Sequence, residues 1–580
     1  MGMQTLIALD TDHIKKYVFA TDRLKDIRGA SSKLDHLNRR VMKNAAKDFQ
    51  AKKVYTNGGS GMFLIEGDED RAKEFGLRLQ KEYTTATNGG ASISFAVQEL
   101  PDDLNAWQDA SGAMQKLMKL LSMRLVAEKL HPQPHLALPS HPLMRPCDSC
   151  GTNYAEDKDV VDTADPADRD KRYCTSCLAK REEDKDVRDG IKAIIKRHIH
   201  LEHESTETTF SYIWDYMLRL LSSSGYELLD DTERPSDFNE LQGIAGGKDY
   251  LGLIYADGNG MGKVMEDQLN LTETQRVAKI IDNSVYEALS MAIKKHLEVI
   301  PANGQDRKHP MFPFDILMIG GDDIMIVTPA SVALDVALTI AQNFHDLTDR
   351  KMKEYDPQKE GFTLSVGVVL APIKYPFGLL QDLAESTLKH AKTETAKRQQ
   401  SSKNPSKYGD SSINFLVVAG STSHDFKKVY DSLQKKHVPV GGKQGEATFY
   451  ATLRPYTVEQ LDAMLKAIRD GKRLSLGRTK LHQVREAVLK MNLTTSVGDM
   501  LAVLRNWKAR QREFVADHVY KLGSKHQEKH RREDDPASWF PRVTLPWFAD
   551  GSDTYRTSLL DFVELYDFVM QEGGSSGNDD

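Results

Sequence analysis

Ile316-Leu317-Met318-Ile319-Gly320-Gly321-Asp322-Asp323-Ile324-Met325-Ile326-Val327 is the stretch that decides the fold. Two β-prone apolar runs flank a tip of Gly and Asp, residue types that turns favour, so the segment reads as a buried β-hairpin. Upstream, Leu251-Gly252-Leu253-Ile254-Tyr255-Ala256 is a buried-looking strand that ends at Asp257. Between strand and hairpin, residues 272–297 carry Val277, Ile280, Ile281, Val285, Leu289 and Ile293 on one side, which predicts a long helix. Thr272 with Gln275 fits a capping box at its start. Residues 333–353 give the next helix, 362–370 a closing strand and 379–398 a further helix. The order β-α-β-β-α-β is the ferredoxin-like pattern.

The same order runs from the N-terminus. Thr5-Leu6-Ile7-Ala8-Leu9 is an apolar run ended by Asp10, and residues 32–49 read as a helix. Val54-Tyr55 and Met62-Phe63-Leu64-Ile65 then flank Gly58-Gly59-Ser60-Gly61 as a second hairpin. Residues 68–84 predict a helix and 91–97 a strand. Two copies of one unit, each with Gly-Gly at a hairpin tip, imply an α+β fold with two ferredoxin-like domains.

Helical stretches at about 103–130 and 187–224 separate the copies, on either side of a cysteine-bearing segment. Residues 156–170 are acid-rich and predict a loop; 399–412 form a polar linker before a short strand at 413–418. From Val458 the pattern is helical: 458–468, 476–491, 497–522 and 559–570. The expected division is a first domain with a helical extension (1–140), a four-cysteine module (141–185), a helical linker (186–245), a second domain (246–420), a helical C-terminal domain (421–572) and a disordered tail (573–580).

Composition narrows the class. The chain has 580 residues, 40% apolar and 28% charged, as in ordinary globular proteins. No apolar run nears the roughly 18 residues of a bilayer span. No basic stretch followed by an apolar stretch marks a secretory signal, and Leu6 stands where a myristoylation motif needs Ser or Thr. The expectation is a cytoplasmic protein with no membrane partner. Asp and Glu outnumber Lys and Arg by 84 to 78, so net charge gives no sign of nucleic-acid binding, although local basic patches are compatible with it.

All four cysteines fall in two C-x-x-C pairs, Cys147/Cys150 and Cys174/Cys177. A two-residue gap lets both thiolates of a pair face one ion, and two pairs complete the tetrahedral sulfur set that suits Zn2+. Four protein ligands leave no open position, so the ion would be structural, in a zinc-ribbon-like insertion.

Asp257 ends its strand, and Asp322 and Asp323 sit at the tip of the hairpin expected beside it. Three converging carboxylates repel one another unless hard cations are bound, and Mg2+ or Mn2+, completed by waters and substrate phosphates, is the natural choice. Two such ions can activate a 3′-hydroxyl and neutralise departing pyrophosphate. Gly320 and Gly321 admit a close nucleotide because no Cβ intervenes. Gly258, Asn259 and Gly260 present backbone N–H groups to phosphate, Ser365 lies on the closing strand, and Lys392 offers a cation to a triphosphate. The plainer alternatives are a solvated acidic turn and an ordinary helix lysine. In the first copy Asp10 and Asp12 end the strand, but the tip Gly58-Gly59-Ser60-Gly61 lacks acids. That copy is expected to be non-catalytic, with glycines able to cradle a second nucleotide. His345-Asp346 and His424-Asp425 have no metal-spaced companions and read as surface. The basic run Lys525–Arg532 reads as a solvated face or an RNA-phosphate contact.

The Gly-Gly-Asp-Asp hairpin, Asp257, Leu364-Ser365-Val366-Gly367 and His390-Ala391-Lys392 together resemble a GGDEF-type nucleotide cyclase palm. The wider layout, with Leu24–Leu34 in the first unit, resembles the large subunit of type III CRISPR effector complexes (the CRISPR polymerase, or Cas-ten, family). The resemblance implies that ATP is joined through 3′–5′ bonds into cyclic oligoadenylates, triggered when a guide-RNA complex binds target RNA. It assigns metal binding to Asp257, Asp322 and Asp323, substrate contacts to Gly320, Gly321 and Lys392, and an acceptor nucleotide to the region of Gly58–Gly61. Its expected partners are ATP, guide RNA, target RNA and other CRISPR effector subunits. Many members begin with an HD nuclease domain. Here the first palm begins at about residue 4, so DNA cleavage is not expected, and a free-standing cyclase stays open. Two competing readings are a non-catalytic scaffold subunit and a diguanylate-type cyclase using GTP.

Overall fold

The computed structural model describes residues 3–100, 112–130, 143–156, 170–200, 212–241, 249–268, 270–304, 307–401, 406–418, 425–439, 446–520, 522, 546–550 and 553–571. The centre of the acid-rich segment, His424, the basic run Lys525–Arg532 and the terminal tail lie outside them.

The first unit is a four-stranded antiparallel sheet ordered β2-β3-β1-β4, with β1 Gln4–Asp12, β2 Lys52–Asn57, β3 Ser60–Glu66 and β4 Ser92–Leu100. The second sheet has six strands ordered β12-β9-β8-β5-β7-β6. Its centre is β5 Tyr250–Gly258, flanked by β7 Asp323–Pro329 and β8 Leu364–Pro372, with β6 Asp315–Gly320 at one edge. β9 Ser412–Val417 adds parallel to β8, and β12 Tyr456–Thr457 adds beyond it. Both units thus follow one element order, and in each the first and third strands are neighbours. The structure is a mixed α+β fold with several sheets.

β5 is apolar at nearly every position because both of its faces are covered. Leu251, Leu253 and Tyr255 join a core shared with the first unit, whereas Ile254 and Ala256 face a core of helices that includes the C-terminal region. The period-2 alternation of a strand divides one sequence between two cores. Helix Leu24–His36 fills the space between the sheets, and helix Thr175–His200, which begins within the cysteine segment, packs on it. Gly29 is the contact: a Cβ there would stand 1.8 Å from the Lys180 carbonyl oxygen.

Several expectations are corrected. The helix expected over 32–49 starts at Leu24, not Ser32, and a short helix, Ile14–Val18, precedes it. Helix Leu271–His296 is capped by Asn270, which accepts from the Glu273 N–H, so Thr272 is not its cap. The boundary drawn at 185/186 falls inside helix Thr175–His200. The C-terminal region is not wholly helical: β10 Gln434–Pro439, β11 Glu446–Tyr450, β13 Phe548–Ala549 and β14 Thr554–Arg556 form a four-stranded sheet. The helix expected over 497–522 is broken into Leu493–Arg505, Ala509–Phe514 and a π-turn at Val515–Tyr520. Nor is 420 a break in packing. Arg454 pairs with buried Asp561 at 2.9 Å and donates to the Phe415 carbonyl on β9 at 3.0 Å.

Candidate functional site

The antiparallel register sets Ala256 opposite Ile324, so the end of β5 lies beside the start of β7. Asp257 therefore meets Asp322 and Asp323. The Gly258 N–H donates to Asp322 Oδ2 at 3.1 Å, and a Cβ on Gly258 would approach that oxygen to 2.5 Å, so a side chain there would displace the carboxylate. Burial, with Asp257 next, pushes the Asp322 carboxyl up to about 7. Burial, Asp257 and Asp322 push Asp323 well above the usual carboxylate range. Low dielectric and neighbouring like charge both disfavour the ionised form. Asp323 Oδ1 is buried, and no described residue donates a hydrogen bond to it.

Lys392 is no free surface lysine: its ammonium pairs with Asp257 and donates to the Gly258 carbonyl at 3.0 Å. Asn259 and Ser365, read from sequence as substrate contacts, face inward. Asn259 Nδ2 donates to Thr363 Oγ1 at 2.9 Å, and the buried Ser365 hydroxyl donates to Asn259 Oδ1 at 2.7 Å. They lock the turn after β5 onto β8. Gly260 takes φ +67°, a left-handed conformation that glycine adopts without strain.

The two hairpin tips touch through their backbones. A Cβ on Gly58 would lie 2.9 Å from the Gly320 carbonyl, and one on Gly320 would lie 2.6 Å from Gly58 Cα. The tips correspond with a shift of one residue. The two-residue turns are Gly58-Gly59, closed by Asn57 and Ser60, and Gly321-Asp322, closed by Gly320 and Asp323. Ser60 thus occupies the place of Asp323, and Gly59 that of Asp322. Ser60 donates to Asp10 at 2.9 Å, and Lys129 pairs with the same carboxylate, so the acid at this tip is neutralised from within. Gly61 packs inward against Met42 and Phe63. Asp12 is turned away and accepts from Ser92 and Ser94 at 2.8 and 2.9 Å. No local pattern marks Lys129, which arrives on helix Ala113–Leu130.

On one side of the touching tips a cleft of about 400 Å³ is lined by Tyr55, Asn57, Met261, Gly321, Asp322 and Asp323, among others. On the other side a cavity of about 120 Å³ is lined by Asn38, Gly58, Gly59, Gly320 and Asp323 with apolar neighbours.

The four cysteine sulfurs lie within 4.8 Å of one another; among the described residues no other group of three or more potential metal ligands is so close. The three aspartates are more widely spread. A tetrahedral ion with Zn–S bonds of about 2.3 Å requires sulfurs about 3.8 Å apart, and Cys150 and Cys174 stand at 3.9 Å. The Ser149 and Cys174 N–H groups point at Cys147 Sγ, at 3.4 and 3.3 Å, which favours a thiolate. The sulfur set fits Zn2+.

The acids also fit a divalent cation, since Asp323 Oδ1 has no other donor and Asp322 resists ionisation without a compensating charge.

Residues 250–401 match the Cas10/Cmr2 second palm domain family. No curated protein matches the chain. Among solved structures, a Csm1-Csm4 cassette in complex with cA4 is similar with a TM-score of 0.53 and 12% identity, over 97% of this chain and 70% of the other. A cassette in complex with one ATP gives 0.51 and 14%, over 98% and 70%. One in complex with cA3 gives 0.51 and 13%, over the same shares. At such identities the likeness is one of fold. The match over residues 250–401 and the shared fold bear out the resemblance of the chain to the type III Cas10 large subunit.

Proposed function

We propose that the chain is a Mg2+- or Mn2+-dependent nucleotidyltransferase that joins ATP into cyclic oligoadenylates. It would act as the large subunit of a type III CRISPR RNA-guided complex or as a stand-alone relative. One observation carries this reading: Asp257, Asp322 and Asp323 meet at a glycine tip that opens on a cleft, and one buried carboxylate oxygen has no partner. The cassettes of similar fold, in complex with ATP, cA3 and cA4, support it. In this proposal both units are ferredoxin-like palms. The first lies within 1–140 and the second within 246–420, with the four-cysteine module and the linker joined through helix Thr175–His200 and a C-terminal domain (421–572) around them. The partners would be ATP, guide RNA, target RNA and other effector subunits, in the cytoplasm; no described helix is long and apolar enough to cross a membrane.

Asp257, Asp322 and Asp323 would hold the divalent cations, which activate the attacking 3′-hydroxyl and neutralise the leaving pyrophosphate. Gly320, Gly321 and Gly58 leave room for nucleotide backbones. Lys392 would exchange the Asp257 carboxylate for a triphosphate oxygen. The test is ATP turnover with Mg2+, with and without guide and target RNA, read by mass spectrometry of the product; GTP in parallel separates the diguanylate reading. Folded protein that makes no nucleotide product under any of these conditions would leave the scaffold reading in its place.

Two results are expected from the bound cations. Asp322 keeps its proton up to about pH 7 in the ligand-free protein. A cation must displace that proton, so Mn2+ affinity should rise toward about pH 7 and level off above it, being roughly tenfold or more weaker near pH 5.5. A raised folded pKa also means that ligand-free stability falls as pH rises from about 4 to about 7. Calorimetric Mn2+ titrations across this range check the profile, and a flat one contradicts the assignment of Asp322. The purified chain should carry one equivalent of zinc by elemental analysis. Cys174→Ser should lose it and melt at lower temperature; full zinc retention would place the ion elsewhere.

A further inference from the structure

The short helix Ile14–Val18 sets the first unit against the cysteine module. Its Tyr17 is 4% exposed, and the hydroxyl is buried with no hydrogen-bond partner among the described residues. A buried hydroxyl left alone costs free energy, so its surroundings must supply a reason for it. A Cβ on Gly90 would lie 2.3 Å from Ser176 Oγ and 2.5 Å from Tyr17 Cε2. The ring edge beside the hydroxyl therefore meets the Cys174–Cys177 turn across a glycine. Burial, then the negative charges of Cys177, Glu183 and Cys174, push the phenol above its usual range. The hydroxyl keeps its proton and is a donor facing thiolates. Glu183 is already taken, since it pairs with Lys33 at 3.0 Å.

Lys180 completes the arrangement. It follows Cys177 by one turn of helix Thr175–His200 and is 2% exposed. Its ammonium donates to the Tyr17 carbonyl at 2.6 Å and lies 4.3 Å from the centre of the Tyr17 ring. A cation so close to the ring is attracted to its electrons and polarises the phenol, which strengthens the O–H as a donor. Among the described residues no carboxylate pairs with this ammonium: Asp184 of the same helix pairs with Arg28, and Asp26 with Arg181. A buried charge needs an opposite one nearby. Four thiolates around one divalent ion carry an excess of negative charge and supply it.

We propose that Tyr17 is a positioning residue of the zinc site, its hydroxyl donating a hydrogen bond to the Cys177 thiolate beside the charge of Lys180. This role rests on the zinc reading of the four cysteines and not on the nucleotide chemistry. Partners behind the ligands hold them in orientation and set the affinity for the ion. The same helix places Ile14 beneath the first hairpin tip, where a Cβ on Gly59 would lie 2.5 Å from Ile14 Cδ1. One short helix thus touches both the cysteine module and the tip that abuts Gly320.

The test measures zinc affinity of the full chain, by competition with a chromogenic chelator, in wild type, Tyr17→Phe and Tyr226→Phe. Tyr17→Phe removes only a hydroxyl that no described residue holds, so the fold should survive. It should bind zinc about 10- to 100-fold more weakly than wild type, the usual loss when a partner behind a metal ligand is removed. Tyr226→Phe loses a buried hydrogen bond to the Leu297 carbonyl, 2.6 Å long and remote from the cysteines in sequence, and should bind zinc as wild type does. With Co2+ in place of zinc, the sulfur-to-metal charge-transfer band of Tyr17→Phe should move to longer wavelength, because a thiolate that loses a hydrogen bond gives up charge more readily. An unchanged zinc affinity or an unchanged Co2+ spectrum in Tyr17→Phe overturns the proposal. Equal losses of affinity in the two variants overturn it as well, since the effect is then one of general stability. A wild-type chain that binds no zinc overturns instead the reading of the cysteines on which the proposal rests.

Discussion

Replacing Asp322 and Asp323 together by Ala is expected to abolish nucleotide product, a loss of about 10³-fold or more, as expected when electrostatic stabilisation at a reacting centre is removed. The same change should not destabilise the ligand-free fold. Both carboxyls sit where burial and a neighbouring acid push their pKa up, so their charges oppose folding near neutral pH. In return, the Gly258 N–H donates one hydrogen bond to Asp322. Their removal relieves like-charge repulsion and leaves Lys392 paired with Asp257. The melting temperature without divalent ions should therefore stay level or rise, while the stabilisation that Mn2+ gives wild type disappears. Product assays and melting curves with and without Mn2+ separate these effects. Turnover within about tenfold of wild type would remove the acids from the chemistry. A collapsed melting temperature would instead make them structural.

The acids and cysteines were legible in the sequence because each is a local pattern: a turn between apolar runs, a strand-ending acid, two C-x-x-C pairs. What was hidden depended on distant partners. Helix Leu24–His36 escaped in its first half because buried Asp26, Arg28, Ser31 and Ser32 interrupt the apolar period. Arg28 is matched by carboxylates 156 and 287 residues away, which no window of sequence contains. Asn259 looked like a substrate ligand because it lies beside Asp257 in sequence, and Ser365 because it lies on the closing strand. Their mutual hydrogen bond, across 106 residues, turns them inward. The one-residue shift between the tips was hidden because Gly-Gly aligns by eye, whereas ladder pairing sets Ser60 in the place of Asp323. The C-terminal sheet was missed because β13 and β14 span two and three residues, too short for any alternation to register.

Arg28→Met should be the most damaging single change outside the tips, costing about 3–5 kcal/mol, the range for removing one partner of a buried ion pair. Arg28 is 1% exposed. It pairs with Asp184, donates to Asp315 Oδ2 at 3.1 Å and donates to the Pro235 carbonyl at 2.6 Å. Arg234 closes the network, donating to Asp315 Oδ1 at 3.0 Å while lying 4.7 Å over the Trp214 ring. First unit, cysteine-module helix, linker and second sheet meet at this point. Burial pushes Asp184 up, but the Arg28 guanidinium outweighs it and the carboxyl ends below its usual range. A depressed folded pKa gives stability that is present above about pH 4 and lost as pH falls below it. Arg28→Met removes the main source of that depression, so the acid-unfolding midpoint should move up in pH as well as the thermal midpoint down. Asp184→Leu added to Arg28→Met should recover part of the loss, since apolar replacement of both partners removes the stranded charge. The consequence reaches the tip because Asp315 is the first residue of β6, whose last is Gly320. A β6 released at its start no longer fixes Gly320 against Gly58, and surviving activity should fall through KM for ATP. Acid and thermal unfolding of both variants, with ATP kinetics on the double variant, decide the matter: unchanged midpoints in Arg28→Met would mean that the network contributes nothing to holding the two sheets together.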